Sequence, residues 1–336
     1  MFDHLSLPKP FFVLAPMDDV TDTVFRRIVG NCAAPDMYFT EFVNVDGLQS
    51  PGRARVIRKL QKTSDEQPVI AQIWGKNPDN FYKTAAELVE MGFAGVDINM
   101  GCPEKSVVHN GSCSALINDR PLASEMIKAT QAGVSGKLPV SVKTRLGFNV
   151  VDLSWHEFLL GHKLDMLTVH GRTRKEMSDV PAHWDIIGQV RQLRDRLEPV
   201  NEAISQPGDA KANRHRTLIV GNGDITSRRL GLELAEQYQL DGVMIGRGVF
   251  HDPYIFAQQS PWPETAPAER IALYRRQVQL FADSWQPGER NVFTLNRFCK
   301  VYINGFDGAK EMREQLMTAG STEELARLLD NFAAQV

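Results

Sequence analysis

The sequence predicts a parallel eight-stranded α/β barrel, a (β/α)8 or TIM barrel, followed by a small C-terminal helical domain. Three observations predict it. Eight short apolar runs alternate with helical stretches, at 11–16, 37–42, 69–74, 95–100, 140–145, 166–170, 218–222 and 242–245. Each run ends in polar or glycine-rich residues, which in a barrel gather at one mouth. Beyond the last run, Ser260-Pro261-Trp262-Pro263 breaks the pattern, and helical periodicity takes over from 267 to 336. These divide the chain into a barrel over 1–259 and a helical domain over 260–336.

The connections carry their own signals. Asn77-Pro78 opens a helix over 79–91 closed by Gly92, and Asp119-Arg120-Pro121 opens one over 122–132 closed by Gly133. An open doubly wound sheet is the alternative, but no Gly-x-Gly-x-x-Gly follows an early strand. With 336 residues there is chain enough for a barrel of about 250 residues and an appendage. No apolar stretch approaches the roughly 20 residues that span a bilayer. The amino terminus, Met1-Phe2-Asp3-His4, lacks a secretory pattern, so a reducing cytoplasm is expected. The four cysteines form no Cys-x-x-Cys pair, so no metal site is expected, and with a net charge of −3 any nucleic-acid binding must be local.

Asp97-Ile98-Asn99-Met100-Gly101-Cys102-Pro103 is the most informative stretch, because a buried strand ends in a turn that presents one thiol. Read alone, Cys102 is either a reaction centre or a small buried hydrophobe. The other strand ends offer Ala15-Pro16-Met17-Asp18, Gln72, Asn99, Lys143 with Arg145, His170 with Arg172, Gly221-Asn222-Gly223-Asp224 and Gly246-Arg247-Gly248. A lysine inside Val-Ser-Val-Lys-Thr-Arg either faces an anion or snorkels to the rim. The last two strand ends are glycine-rich and precede predicted helices over 226–239 and 252–258, an arrangement that suits a phosphate. A phosphorylated cofactor across the mouth, flavin mononucleotide in particular, is the expectation.

The chain resembles the tRNA-dihydrouridine synthases. The resemblance is carried by Ala15-Pro16-Met17 with Val20-Thr21-Asp22 and Phe25-Arg26, and by 97–103 with Lys105, Gly111 and Ser114-Ala115-Leu116. It continues through Val142-Lys143-Thr144-Arg145-Leu146-Gly147, Val169-His170-Gly171-Arg172-Thr173, Asn222-Gly223-Asp224-Ile225 and Met244-Ile245-Gly246-Arg247-Gly248. It implies reduction of the C5=C6 bond of specific tRNA uridines, with FMN as cofactor and NADPH (or NADH) as reductant. By the same resemblance Cys102 is the proton donor, and Pro16, Met17, Asp18, Gln72, Lys143, His170, Asn222, Gly223, Asp224, Gly246 and Arg247 hold the flavin. Asn99 would meet the uracil, and Arg145, Arg172, Arg174, Lys175, Arg297 and Lys300 would contact tRNA.

A thiol suits that role, since an unperturbed cysteine with a pKa near about 8.5 keeps its proton at neutral pH. Lys143 would stabilise charge at the flavin's pyrimidine edge, and His170 would support flavin or uracil by hydrogen bonding. Two features depart from the family pattern. Cys113 is a second thiol, expected as a packing residue at a helix start, and the polar insertion 201–216 is expected to stay solvated at the far end of the barrel. Between Arg270 and Arg313 stand eight basic and four acidic residues, interleaved with Tyr274, Phe281, Phe293, Phe298 and Tyr302. That is either an RNA surface or a solvated face over a core. Two other functions fit parts of the pattern, a flavin barrel acting on a free pyrimidine and a non-catalytic RNA-binding barrel. A monomer is expected, although the sequence does not fix the oligomeric state.

Overall fold

Among the described residues nine short strands arise from apolar runs set between helical stretches. The protein, seen as a computed structural model, is described over residues 7–199, 216–286 and 288–335. Its strands are β1 Phe11–Leu14, β2 Met37–Phe39, β3 Val43–Asn44, β4 Val69–Trp74, β5 Gly95–Met100, β6 Val140–Arg145, β7 Met166–His170, β8 Leu218–Asn222 and β9 Gly242–Ile245. All pair in parallel, and the β2–β4 pairing closes a ring of eight. The predicted run 37–42 is broken: β2 stops at Phe39, and β3 pairs separately with the end of β4, Val43 against Ile73. At Thr40 a side chain intrudes into the ladder, its hydroxyl accepting from the Gln72 N–H at 3.1 Å and donating to the Glu41 carbonyl.

The helix Pro78–Glu90 is capped by Asn77, and the helix Arg120–Val134 by Asp119, as their sequences predict. Gly133 does not end its helix. A Cβ there would lie 2.4 Å from the Tyr82 carbonyl oxygen, so the glycine permits close helix packing, and the stop comes at Ser135 with φ 48°. The helix predicted over 226–239 spans Arg228–Gln237, capped by Ser227. No helix forms over 252–258. The chain leaves β9 through a 3-10 turn at Arg247–Phe250, and Pro253 together with the Asp252 side chain, which accepts from the Tyr254 N–H, holds this stretch in isolated tight turns.

Alternation along the strands sorts the barrel lumen into layers. Phe11, Val13, Met37, Ile70, Met166, Leu218 and Val220 fill its lower part as one buried apolar cluster. Moving toward the carboxyl ends, the same inward positions turn polar: Gln72, then Asp97 and Asn99, Ser141 and Lys143, His170, and Asn222. Outside, a second cluster joins the barrel walls to the surrounding helices and continues into the C-terminal region. Phe25 packs there against Phe298 with tilted rings, centroids 4.7 Å apart, and Tyr274 stacks on Tyr302 at 5.1 Å. Of the aromatics weighed as an RNA surface, Tyr274, Phe281, Phe298 and Tyr302 are core, whereas Phe293 is exposed. Among the described residues no helix is long and apolar enough to cross a membrane.

Candidate active site

The polar layer opens into a cleft of about 550 Å³ at the carboxyl ends of the strands. Ala15, Pro16 and Met17 form one wall, Lys143 and His170 the floor, and the turns Asn222–Asp224 and Gly246–Gly248 the opposite rim. Gly223 sits at φ 133°, a conformation open to glycine, and Asp224 follows at φ 54°. A Cβ on Gly246 would project toward Ala15 and Met17, so its absence widens the cleft between the two walls.

Lys143 forms no ion pair among the described residues. Burial pulls its ammonium down to about 8, the Arg145 cation adds to the fall, and Asp97 opposes it. For His170, burial and then the cations Lys143, Arg145, Arg172 and Arg247 hold the imidazole well below its usual value, so the ring is neutral at pH 7. Arg172 Nη1 lies 3.3 Å from His170 Nε2. A guanidinium can only donate, so Nε2 accepts and the ring proton resides on Nδ1.

Cys102 stands half-buried at the edge of this cleft, one residue before Pro103, which lines it. Asn99 Oδ1 accepts from both the Gly101 and Cys102 N–H groups at 3.0 Å, and Arg145 Nε donates to the Gly101 carbonyl at 2.8 Å. The turn is therefore held by its own strand and its neighbour. Here the structure corrects the expectation of an unperturbed thiol: Cys102 is drawn down to about 7. A hydrogen bond from the Cys113 thiol is the main cause, opposed by burial and helped by the Glu104 N–H and Arg145. Cys113 is buried at the start of a 3-10 helix with φ 54°, as expected of a packing residue, and its thiol also hydrogen-bonds the Cys102 sulfur. Burial pushes the Cys113 thiol far up, so it keeps its proton and donates it.

Other predicted residues fall in different places. Gln72 lies behind the cleft, fully buried beneath Asn99. The Asp18 carboxylate turns away to pair with Lys59 and does not line the cleft. Arg145 and Arg172, 7% and 3% exposed, reach the cleft and direct several of their donors to protein. Arg145 Nη1 bonds to the Thr173 and Met177 carbonyls, while Arg172 bonds to the Val180 carbonyl and Asp224. They brace the loops while lining the cleft. Arg174 stacks on Phe148 at 5.2 Å, and Lys175 and Lys300 are exposed. Arg297 donates to the Asp19 carbonyl at 3.0 Å. The insertion lies outside the described residues except Arg216, which pairs with Asp195 instead of staying solvated. Sequence reasoning missed Met177, Ser178 and His251 in the cleft lining.

Fold and site together define a parallel α/β barrel whose cleft opens at the carboxyl ends of its strands, beside the Cys102 thiol. Its fold is shared by morphinone reductase (13% identity, TM-score 0.50, covering 74% of this chain and 85% of that one). Histamine dehydrogenase from Rhizobium sp. 4-9 is likewise similar in fold (11%, TM-score 0.52, covering 80% and 48%). The family model for dihydrouridine synthase (Dus) matches residues 13–336. A probable tRNA-dihydrouridine synthase of Staphylococcus aureus (strain COL) is 44% identical over 334 residues, covering 98% of this chain and 95% of that protein. Probable tRNA-dihydrouridine synthase 2 of Bacillus subtilis (strain 168) is 45% identical over 331 residues, covering 97% and 95%. The chain belongs to the dihydrouridine synthase family.

Proposed function

We propose that this protein reduces the C5=C6 bond of specific tRNA uridines to 5,6-dihydrouridine, with FMN as cofactor and Cys102 as proton donor to C5. The observation that best supports it is the thiol drawn down to about 7, held at the edge of a cleft whose floor cation, Lys143, has no ion-pair partner among the described residues. A general acid works best when its pKa lies near the operating pH. The donor set fits a flavin mononucleotide: an ammonium and a neutral imidazole at the floor, and two glycine turns with Arg247 at the rim. When bound and reduced by NADPH (or NADH), that cofactor supplies hydride to C6 of the uracil.

The protein's own residues complete the reaction. As negative charge develops at C5, Cys102 Sγ gives up its proton to that carbon, and the thiolate is reprotonated from solvent. Lys143 stabilises negative charge in the cleft, while His170 remains neutral and acts by hydrogen bonding. Asn99 retains one amide hydrogen beyond its bond to Gln72 for the uracil. The target base leaves its stack to enter. The helical region over 260–336, with exposed Lys300 and with Arg297 at the seam, grips the tRNA together with Lys175. Mass-spectrometric mapping of dihydrouridine in tRNA from cells with and without the protein tests this reading. Loss at a defined position supports it, and an unchanged map in a strain without a redundant enzyme refutes it. Failure of the protein to retain tRNA on a mobility gel would favour a free pyrimidine as substrate.

In single-turnover assays with pre-reduced protein, the rate should fall about tenfold per pH unit above about 7, because the acid form of Cys102 is lost there. Replacing Cys113 by Ala removes the donor that lowers Cys102, so the inflection should move to higher pH. An inflection that stays put would show that Cys113 does not tune the acid. Lys143→Ala should lose bound flavin on gel filtration, read by absorbance. Wild-type retention should itself weaken as pH rises through about 8, where the ammonium loses its charge. Cofactor content unchanged in the variant would refute this placement of Lys143.

A further inference from the structure

Asp97 is a fully buried carboxylate that the chemistry above leaves unused. Strand register sets it beside Gln72 of β4 and Ser141 of β6, all on the lumen face. Its Oδ1 accepts from Ser141 Oγ at 2.5 Å and its Oδ2 from Gln72 Nε2 at 2.7 Å. Gln72 Oε1 accepts from Asn99 Nδ2 at 3.0 Å, and Asn99 Oδ1 accepts from the Gly101 and Cys102 N–H groups. Both ends of this chain are chemically unambiguous. A carboxylate accepts and a backbone N–H donates, so one orientation of the two intervening amides satisfies every bond. Turning either amide over would set acceptor against acceptor on one side and donor against donor on the other, in a buried place where an unmet polar group is costly.

We propose that Asp97 is a positioning residue: its carboxylate sets the direction of the buried Asp97–Gln72–Asn99 amide chain, whose last acceptor fixes the backbone of Cys102 at the cleft. This rests on the reading of Cys102 as the proton donor. The residue touches neither substrate nor thiol and acts through two amides. Asp97→Asn is nearly isosteric. The Ser141 hydroxyl can accept as well as donate, so the new amide no longer fixes one orientation: with its oxygen on Ser141 it turns an N–H toward the Gln72 N–H, and Gln72 must rotate. Asn99 is then drawn to give up its acceptor role toward Cys102.

The test follows alkylation of Cys102 by iodoacetamide across pH, read by mass spectrometry of its peptide, beside single-turnover dihydrouridine formation. Asp97→Asn should retain tRNA on a mobility gel, lose at least tenfold in single-turnover rate and shift the alkylation profile. Adding Gln72→Glu restores an acceptor where the chain needs one: the amide introduced at position 97 donates to the carboxylate introduced at position 72, and that carboxylate also accepts from Asn99. The double variant should return the alkylation profile to wild type, a rescue that a merely structural loss at Asp97 would not show. If the single variant fails to fold, the double variant carries the test alone. An unshifted profile in Asp97→Asn, or a double variant no closer to wild type than the single, overturns the proposal. If Cys102→Ala turns over normally while the Asp97 profiles behave as expected, the proton-donor reading fails and the positioning of Cys102 stands.

Discussion

Cys102→Ala should keep its yellow flavin and its tRNA binding and lose about 10²- to 10⁴-fold in single-turnover rate, the usual contribution of a positioned general acid. The expectation of an intact site comes from the groups that hold the turn. Asn99 and Arg145 grip the backbone of Gly101 and Cys102, and neither touches the sulfur. Removing the thiol therefore removes a proton source and little else. Cys102→Ser separates acidity from shape, because a hydroxyl of similar size is a far weaker acid and should rescue little. Oxidation of NADPH in the absence of tRNA does not use the acid and should proceed at the wild-type rate. Turnover near wild type in Cys102→Ala would move the proton to another source, and Cys113, in contact with the same sulfur, would be the first to replace.

Strand periodicity and strand-end chemistry were legible because both are local. A run such as Val140–Arg145 shows its alternation and its polar exit in six residues. Caps at Asn77 and Asp119 were legible for the same reason. Gly133 was misread because a glycine that ends a helix and one that admits a neighbouring helix look alike in sequence, and Tyr82, which decides, lies on another helix. The helix expected over 252–258 failed on Asp252-Pro253, whose turn chemistry outweighs the apolar spacing around it. At the site, the residue types were readable but their commitments were not. Arg145 and Arg172 look like ligands for a polyanion, yet several of their donors go to loop carbonyls and to Asp224, groups that tertiary structure brings to them. The perturbed thiol was likewise hidden, since it depends on a contact with Cys113 that the turn at φ 54° creates.

Arg290→Met should destabilise the protein by about 3–5 kcal/mol, the cost of leaving buried carboxylates without their cation. Arg290, in the C-terminal region, is buried against the barrel. Its Nη1 donates to Glu41 at 3.0 Å, and Asp22 and Asp19 lie 3.4 and 3.8 Å from its nitrogens. Burial raises the Glu41 and Asp22 carboxyls despite Arg290, whereas Arg290 itself, which burial alone would lower, is raised by Asp22 and Glu41. The acids thus lose more to desolvation than the cation returns, so the cluster is a constraint on where the C-terminal helices sit more than a source of stability. Removing the cation strands two buried anions. With about 2.1 cal/mol/K of unfolding entropy per residue, the loss corresponds to a fall in Tm of about 4–7 °C. Its sign with pH is fixed as well. Carboxyls raised in the folded state bind protons more readily there than in the unfolded chain, so the deficit should be largest near neutrality and shrink as pH falls through the carboxyl range. Arg290→Met with Glu41→Gln should recover part of the loss, because one stranded charge is gone. Because Arg297 donates to the Asp19 carbonyl on the same seam, the single variant should also weaken tRNA retention on a mobility gel. A Tm within a degree of wild type, with tRNA retention intact, would show that the apolar contacts of Phe25 and Phe298 hold this seam without the charge cluster.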